Sequence, residues 1–81
     1  MPNSRAREAL IAVIREILEK KQLTQQQFSE LCHEHVSFIP KIVTGRRKVT
    51  VEEMAVIAKA AGMTELELFA RYWAIRDQIR D

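Results

Sequence analysis

The sequence predicts an all-α fold, and three observations support that prediction. Apolar residues recur at helical spacing along most of the 81 residues. One helix-start signal, a Thr followed three residues later by Gln or Glu, occurs three times. Both glycines follow an apolar-periodic stretch, where a left-handed residue can close a helix. No alternating β-branched run indicates a strand, so we expect helices at roughly 4–21, 24–32, 37–44, 51–61 and 65–80.

The first predicted helix is amphipathic. Its apolar stripe consists of Ala6, Ala9, Leu10, Val13, Ile14, Ile17 and Leu18. The charged residues Arg7, Glu8, Arg15, Glu19 and Lys20 fall on the remaining perimeter, which we expect to face solvent.

The second, fourth and fifth helices begin with the same two devices. Capping boxes are predicted for the pairs Thr24 and Gln27, Thr50 and Glu53, and Thr64 and Glu67. Hydrophobic staples around them are predicted for the pairs Leu23 and Phe28, Val49 and Met54, and Met63 and Leu68. The helix ends are predicted at Gly45 and Gly62, because glycine adopts a positive φ without steric cost.

The length and composition indicate one small domain spanning residues 1–81. A chain this short buries only about 60% of its unfolded surface, so a partner subunit would stabilise it. No stretch resembles a signal peptide or a membrane span, which predicts a cytoplasmic protein without a membrane partner.

The charge is unevenly distributed along the chain. Residues 1–48 contain nine Lys or Arg and five Asp or Glu, a net charge of +4. Residues 49–81 contain four Lys or Arg and six Asp or Glu, a net charge of −2. This polarity fits a protein with one nucleic-acid face and a separate assembly face, although such an imbalance also arises by chance.

Cys32, His33 and His35 are the candidates for a metal site or a nucleophilic pair, and both readings are disfavoured. Three ligands so close at a helix end converge poorly, and no further Cys or His is present. We expect Cys32 to be a buried small hydrophobe in a reducing compartment. The sequence therefore predicts neither an enzyme nor a cofactor, and no small-molecule ligand is evident.

The segment 23–48 carries the functional prediction. It combines a capped amphipathic helix, a short polar turn, a second short helix and the basic triplet Arg46, Arg47 and Lys48. Two helices joined by a tight turn, with cations at the exit, form the arrangement that places one helix in a DNA major groove.

Three stretches in ungapped order carry a family resemblance: LTQQQFS at 23–29, IxxIxxGRR at 39–47, and the following TVEEMAxIAKAAGMTELELF up to Phe69. They resemble the Cro and phage-repressor-like family of helix-turn-helix regulators, also called the xenobiotic-response-element family. That resemblance implies a five-helix, lambda-repressor-like bundle whose second helix crosses the DNA backbone and whose third helix enters the major groove. Small members include phage repressors, restriction-modification controller proteins and antitoxins, which commonly regulate their own operons.

Three residues depart from the family pattern. His33 stands where the turn often has Gly, Glu34 where an apolar residue is usual, and Pro40 inside the expected recognition helix. Because proline lacks an N–H and restricts its predecessor, Pro40 fits best if that helix starts late, with Ser37 as its cap.

The candidate DNA-binding residues are Gln25, Gln26, Val36, Ser37, Phe38, Lys41, Thr44, Arg46, Arg47 and Lys48. We expect Val36, Ser37, Phe38 and Lys41 to point away from the core and towards base edges. Phe38 would then pack on a thymine methyl group, or alternatively fold back onto the core. Gln25 would donate to a phosphate or brace the recognition helix, and the basic triplet would meet phosphates, unless these residues are simply solvated.

The fifth helix (65–80) is predicted to mediate dimerisation. Leu66, Phe69 and Trp73 line one face, whereas Leu68, Tyr72, Ile75 and Ile79 line another, more apolar surface than one small core covers. The candidate interface residues are Leu68, Tyr72, Trp73, Ile75 and Ile79. A homodimer would read an inverted-repeat operator, probing two half-sites about 34 Å apart. In the alternatives, this helix binds a different protein, as an antitoxin binds its toxin, or merely completes the monomer core.

Overall fold

A computed structural model describes residues 4–79, and this part of the chain contains five helices and no strand. The helices are α1 (Ser4–Lys21), α2 (Gln25–Leu31), α3 (Phe38–Val43), α4 (Val51–Ala60) and α5 (Glu65–Gln78). The predicted all-α class is confirmed, and the predicted boundaries lie within two residues of those observed. The predicted end of the fifth helix at residue 80 lies outside the described residues.

The three predicted capping boxes are present. The hydroxyls of Thr24, Thr50 and Thr64 accept the backbone N–H three residues ahead at 3.0, 3.1 and 3.1 Å. The side chains of Gln27, Glu53 and Glu67 accept the cap N–H in return, at 2.9, 3.0 and 2.8 Å. Each box therefore satisfies two backbone donors that the helix itself cannot pair.

The helix ends use a left-handed residue at four places within residues 4–79. Gly45 and Gly62 have φ values of 77° and 72°, as their positions predicted. Gln22 and His33 adopt the same region with φ values of 55° and 59°. His33 therefore takes up the conformation of a helix-ending glycine, at the steric cost that a Cβ carries there.

All five helices contribute buried residues to the core. α1 and α4 each pack on α5, and α2 packs on α3. The fully or nearly fully buried apolar residues are Ala9, Val13, Ile14, Ile17, Phe28, Cys32, Phe38, Ile39, Ile42, Val43, Met54, Ile57, Ala58, Ala61, Leu68 and Ile75. Cys32 is buried, as predicted, and burial raises the pKa of its thiol to about 11. It is therefore protonated at neutral pH and packs as a small apolar group.

Two of the predicted interface residues on α5 belong to the core of the single chain. Leu68 is fully buried and Ile75 is 8% exposed, while Tyr72 and Ile79 pack partly buried against the core. The expectation that Leu68 and Ile75 form an interface surface is thus corrected, because this stripe faces α1 and α4.

None of the helices in residues 4–79 has the length and hydrophobicity that a membrane span requires.

Candidate nucleic-acid interface

A buried hydroxyl joins the two helices of the helix-turn-helix segment. Ser29, fully buried on α2, donates its hydroxyl to the carbonyl of Gln25 at 2.9 Å. Its oxygen accepts the backbone N–H of Ile39, on α3, at 3.0 Å. This bond fixes the start of α3 relative to α2 and was not foreseen, because the sequence does not show which distant donor a helical serine will meet.

Every backbone N–H in the first turn of α3 is accounted for. The Phe38 N–H donates to the His35 carbonyl at 2.9 Å, and the Lys41 N–H to the Ser37 carbonyl at 2.9 Å. The Ile39 N–H is bound by Ser29, and Pro40 has none. The predicted late start is confirmed, with Ser37 at the N-cap position and Pro40 in the first turn, but the Ser37 side chain makes no capping hydrogen bond. Because no donor is spare, this helix can address DNA only through its side chains.

Phe38 does not point towards solvent. It is 3% exposed, and the guanidinium carbon of Arg47 lies 5.0 Å from the centre of its ring. The prediction that Phe38 meets base edges is therefore wrong, and the alternative that it folds onto the core is confirmed. The reason is the brevity of α3: Phe38 is its first residue and packs beside Ile39, Ile42 and Val43, which are also buried.

Four of the predicted base-contacting or neighbouring residues remain accessible around α3. Val36, Lys41 and Thr44 are exposed and Ser37 is half-buried. The Thr44 hydroxyl donates to the Pro40 carbonyl at 2.9 Å, which closes the last turn of α3. The solvent side of α3 thus offers one cation, one apolar side chain and two hydroxyls.

His35 engages Ser37, a contact that the sequence did not reveal. The backbone N–H of Ser37 donates to Nδ1 of His35 at 3.1 Å, and the Ser37 hydroxyl lies 2.9 Å from the same nitrogen. Because Nδ1 accepts the Ser37 N–H, the N–H of the imidazole ring must be at Nε2. His35 therefore orients the Ser37 side chain on the exposed side of the turn.

The loop between α3 and α4 is organised by Arg47. Its guanidinium donates to both carboxylate oxygens of Glu53, at 3.3 and 2.5 Å, and to the Lys48 carbonyl at 3.2 Å. Glu53 is the same carboxylate that completes the α4 capping box. Arg47, predicted to meet phosphate, is thus held within the protein, while Arg46 and Lys48 are exposed.

A further cation, Arg7 of α1, lies beside this loop. A Cβ built on Gly45 would lie 3.5 Å from Cδ and 3.6 Å from Nη1 of Arg7, so the arginine stem covers the glycine. The sequence places Arg7 only on the solvent side of α1, because nothing local indicates which loop a helical residue approaches. Arg7, Arg46 and Lys48 therefore form a basic cluster at the end of α3.

The predicted residues on α2 occupy its first turn. Gln26 is exposed and Gln25 is half-buried. Their side chains lie on the helix that packs against α3, and Gln25 also supplies the carbonyl that Ser29 bonds.

An exposed apolar patch lies apart from the basic cluster, on α5. Leu66 is 81% and Trp73 49% exposed. The Arg76 guanidinium carbon lies 4.5 Å from the Trp73 ring centre, and Tyr72 meets the same indole edge-on at 5.3 Å. Within the described residues, no group of three or more His, Cys, Asp or Glu is arranged to hold a metal ion.

Comparisons with known proteins agree with this geometry. A family model described as helix-turn-helix matches residues 14–69, which includes all of α2, α3 and α4. The crystal structure of the clp gene regulator ClgR from Corynebacterium glutamicum is similar in fold, with a TM-score of 0.76 and 22% sequence identity. The match covers 90% of this chain and 78% of that one. A comparison with curated protein sequences gave no match.

Proposed function

Because the chain belongs to the helix-turn-helix family and is a DNA-binding transcriptional regulator, we propose that it represses its own operon as a homodimer on an inverted-repeat operator. Members of this family are DNA-binding regulators and not enzymes. The observation that carries the proposal is the basic cluster beside the exposed side of α3, on the helix pair that the family model matches.

Base recognition is assigned to the exposed side chains around α3. Lys41 can donate to the O6 and N7 acceptors of guanine, and Val36 can contact a thymine methyl group. Ser37 and Thr44, whose hydroxyls are oriented by His35 and Pro40, can bond either partner of a base pair. Phe38 is buried behind this surface and does not contact DNA in this proposal.

Phosphate contacts are assigned to Arg46, Lys48 and Arg7, with Gln25 and Gln26 on α2. Exposed cations supply sequence-independent affinity by releasing counterions from the duplex. Arg47 is paired with the Glu53 carboxylate, so its main role is to hold the loop that presents Arg46 and Lys48.

Dimerisation is assigned to the exposed patch of Leu66 and Trp73 on α5. A half-exposed tryptophan and a nearly fully exposed leucine, two turns apart on α5, are unfavourable in a monomer. A two-fold contact would cover these residues on both copies. Two α3 helices about 34 Å apart would then meet successive major grooves on one side of the duplex. The domain 1–81 acts as one unit in this proposal, in the cytoplasm where it reaches its operator.

Selection from a random duplex library at near-physiological salt tests the proposal. Enrichment of an inverted repeat with half-sites about one helical turn apart would support a dimeric reader. Enrichment of a single half-site would support DNA reading but contradict the homodimer. Salt-sensitive binding without enrichment would favour the second candidate, in which the Leu66 and Trp73 patch binds a different protein, as in an antitoxin.

A further inference from the structure

A groove runs between α1 and α4 above α5. α1 and α4 both pack on α5 but make little contact with each other, which leaves a gap between them. Phe69 and Tyr72 form its floor, Leu10 and Ile11 one wall and Met54 the other. The loop after α3 closes one end of the groove, which encloses about 320 Å³. This volume is at the lower end of the range of about 300–1,000 Å³ typical of small-molecule sites.

The closed end of the groove is positively charged. Its lining includes Arg7, Arg47 and Lys48 and, within the described part of the chain, no Asp or Glu. Glu53 neutralises Arg47 by a two-point ion pair. Arg7 lies against Gly45 in the same loop, and among residues 4–79 neither Arg7 nor Lys48 has an ion pair with a carboxylate. Two uncompensated cations therefore stand at the end of an apolar channel.

We propose that this groove binds a small amphiphilic anion, with an aliphatic or aromatic body against Leu10, Ile11 and Phe69 and one anionic head at Arg7 and Lys48. The apolar lining favours burial of a hydrocarbon body, since transfer of apolar surface out of water is favourable. Because the guanidinium of Arg7 and the ammonium of Lys48 both line the groove, it selects an anionic head over a neutral one. A carboxylate that carries an aliphatic chain or an aromatic ring provides both the hydrocarbon body and the anionic head.

Occupancy of the groove would lower DNA affinity. This second step rests on the proposed function, because it uses the phosphate contacts assigned to Arg7 and Lys48. An anionic head held by these two cations removes them from the phosphate and places a like charge beside it. By thermodynamic linkage, DNA would weaken binding of the anion by the same factor.

Binding is tested without DNA by following backbone amide NMR signals during titration with octanoate, and with 1-octanol as the uncharged probe. We expect saturable shifts at Leu10, Ile11 and Gly45, with octanoate binding about tenfold or more tightly than octanol, equivalent to about 1.4 kcal/mol. Absence of saturable shifts, shifts confined to the Leu66 and Trp73 patch, or equal affinity of the two probes would overturn the proposal.

Two variants and a matched control sharpen the result. Arg7→Gln with Lys48→Gln should bring octanoate affinity down to that of octanol. Arg15→Gln with Lys59→Gln removes the same charge from exposed sites that do not line the groove, and should leave the affinity within about twofold. If the two double variants lost affinity equally, general electrostatics and not the groove would explain binding.

The effect on DNA is tested with the enriched duplex and saturating octanoate. Affinity for DNA should fall at least about fivefold. The Ile11→Trp variant fills the groove, and Ile11 is not among the assigned DNA contacts. Its affinity for DNA should equal that of the parent protein and should not change when octanoate is added. An unchanged affinity of the parent protein would refute the coupling. If the protein bound no DNA at all, the proposed function would fail while the NMR result still decided the groove.

Discussion

The Ser29 hydroxyl on α2 receives the backbone N–H of Ile39 on α3 at 3.0 Å, and both residues are fully buried. The bond spans ten positions of sequence and crosses the turn between the two helices. The Ser29 oxygen is the acceptor for the one N–H in the first turn of α3 that no neighbouring carbonyl reaches. The position of the proposed recognition helix therefore depends on a single side-chain oxygen.

Replacing Ser29 with Ala should destabilise the protein and weaken DNA binding together. The Ile39 N–H would be left buried without an acceptor, which costs about 1–3 kcal/mol. Urea denaturation measures this loss. Ser37→Ala is the matched control, because it removes a hydroxyl from the adjacent cap position that does not bond the helix N-terminus. Equal stability of the two variants would contradict the role assigned to Ser29.

Replacing His33 with Gly should stabilise the protein by about 0.5–1 kcal/mol. Relief of the left-handed strain at φ 59° outweighs the greater freedom of glycine in the unfolded chain. The reverse exchange at Gly62, where φ is 72°, should destabilise by about 1 kcal/mol when Ala is introduced. Thermal unfolding of both variants checks the pair, and a destabilised His33→Gly protein would mean that the histidine ring makes a compensating contact.

Removing Arg46 and Lys48 together should weaken binding to every duplex and reduce the dependence of log K on log salt by about two. Lys41→Ala should instead relax preference at one base position with little change in salt dependence. Fluorescence anisotropy over a salt series distinguishes these effects. Arg47→Ala should mainly lower stability, because it breaks the pair with Glu53; a large loss of salt dependence without destabilisation would reassign Arg47 to phosphate.

Introducing Glu at both Leu66 and Trp73 should produce a folded monomer. The two side chains lie on the exposed side of α5, so carboxylates there disturb an interface but not the core. Sedimentation velocity measures the mass, and affinity for an inverted repeat should fall towards that for one half-site. Val51→Glu, at another exposed apolar residue, should leave the mass unchanged. A double variant that remained dimeric would exclude this face.

Stability should depend weakly on the Glu16 and Arg71 pair in a defined pH range. A hydrogen bond from Arg71 lowers the pKa of Glu16 from its ordinary value of 4.5, so the ionised form stabilises the folded state. That contribution is complete above pH 4.5 and is lost as the pH falls through the lowered pKa. Because both side chains are about half exposed, solvent screens most of it.

Denaturation of Glu16→Gln and of the parent protein from pH 7 to pH 3 tests this dependence. The difference in stability should be largest at neutral pH and shrink towards acid. Arg71→Gln, which removes the other partner of the pair, should show the same trend.

The sequence predicted most helix boundaries because their determinants are local. Thr24, Thr50 and Thr64 each bond a residue three positions ahead, so the pattern alone specifies the contact. Pro40 likewise limited where α3 could start, since proline has no N–H to pair.

The errors arose where packing between helices decides the outcome. On α5, the stripes led by Leu66 and by Leu68 both have helical spacing, and hydrophobicity alone does not say which one meets α1. Phe38 was misplaced because a helix of only six residues is too short for periodicity to define its faces. The role of Ser29 was not predicted because its hydrogen-bond partner belongs to another helix. Two signals were available in the sequence: Ser29 follows the buried Phe28, and Pro40 has no N–H in the first turn of α3.

The capping boxes also bear on how quickly the regulator becomes active. Three of the five described helices start at bonds between residues three positions apart, so these bonds do not require distant parts of the chain to meet. Helical domains, whose contacts are mostly local, fold in about microseconds to milliseconds. Translation proceeds at only about 5–20 residues per second. For the proposed dimeric regulator, synthesis and dimer concentration, and not folding, should then govern the delay between expression of the gene and occupancy of an operator.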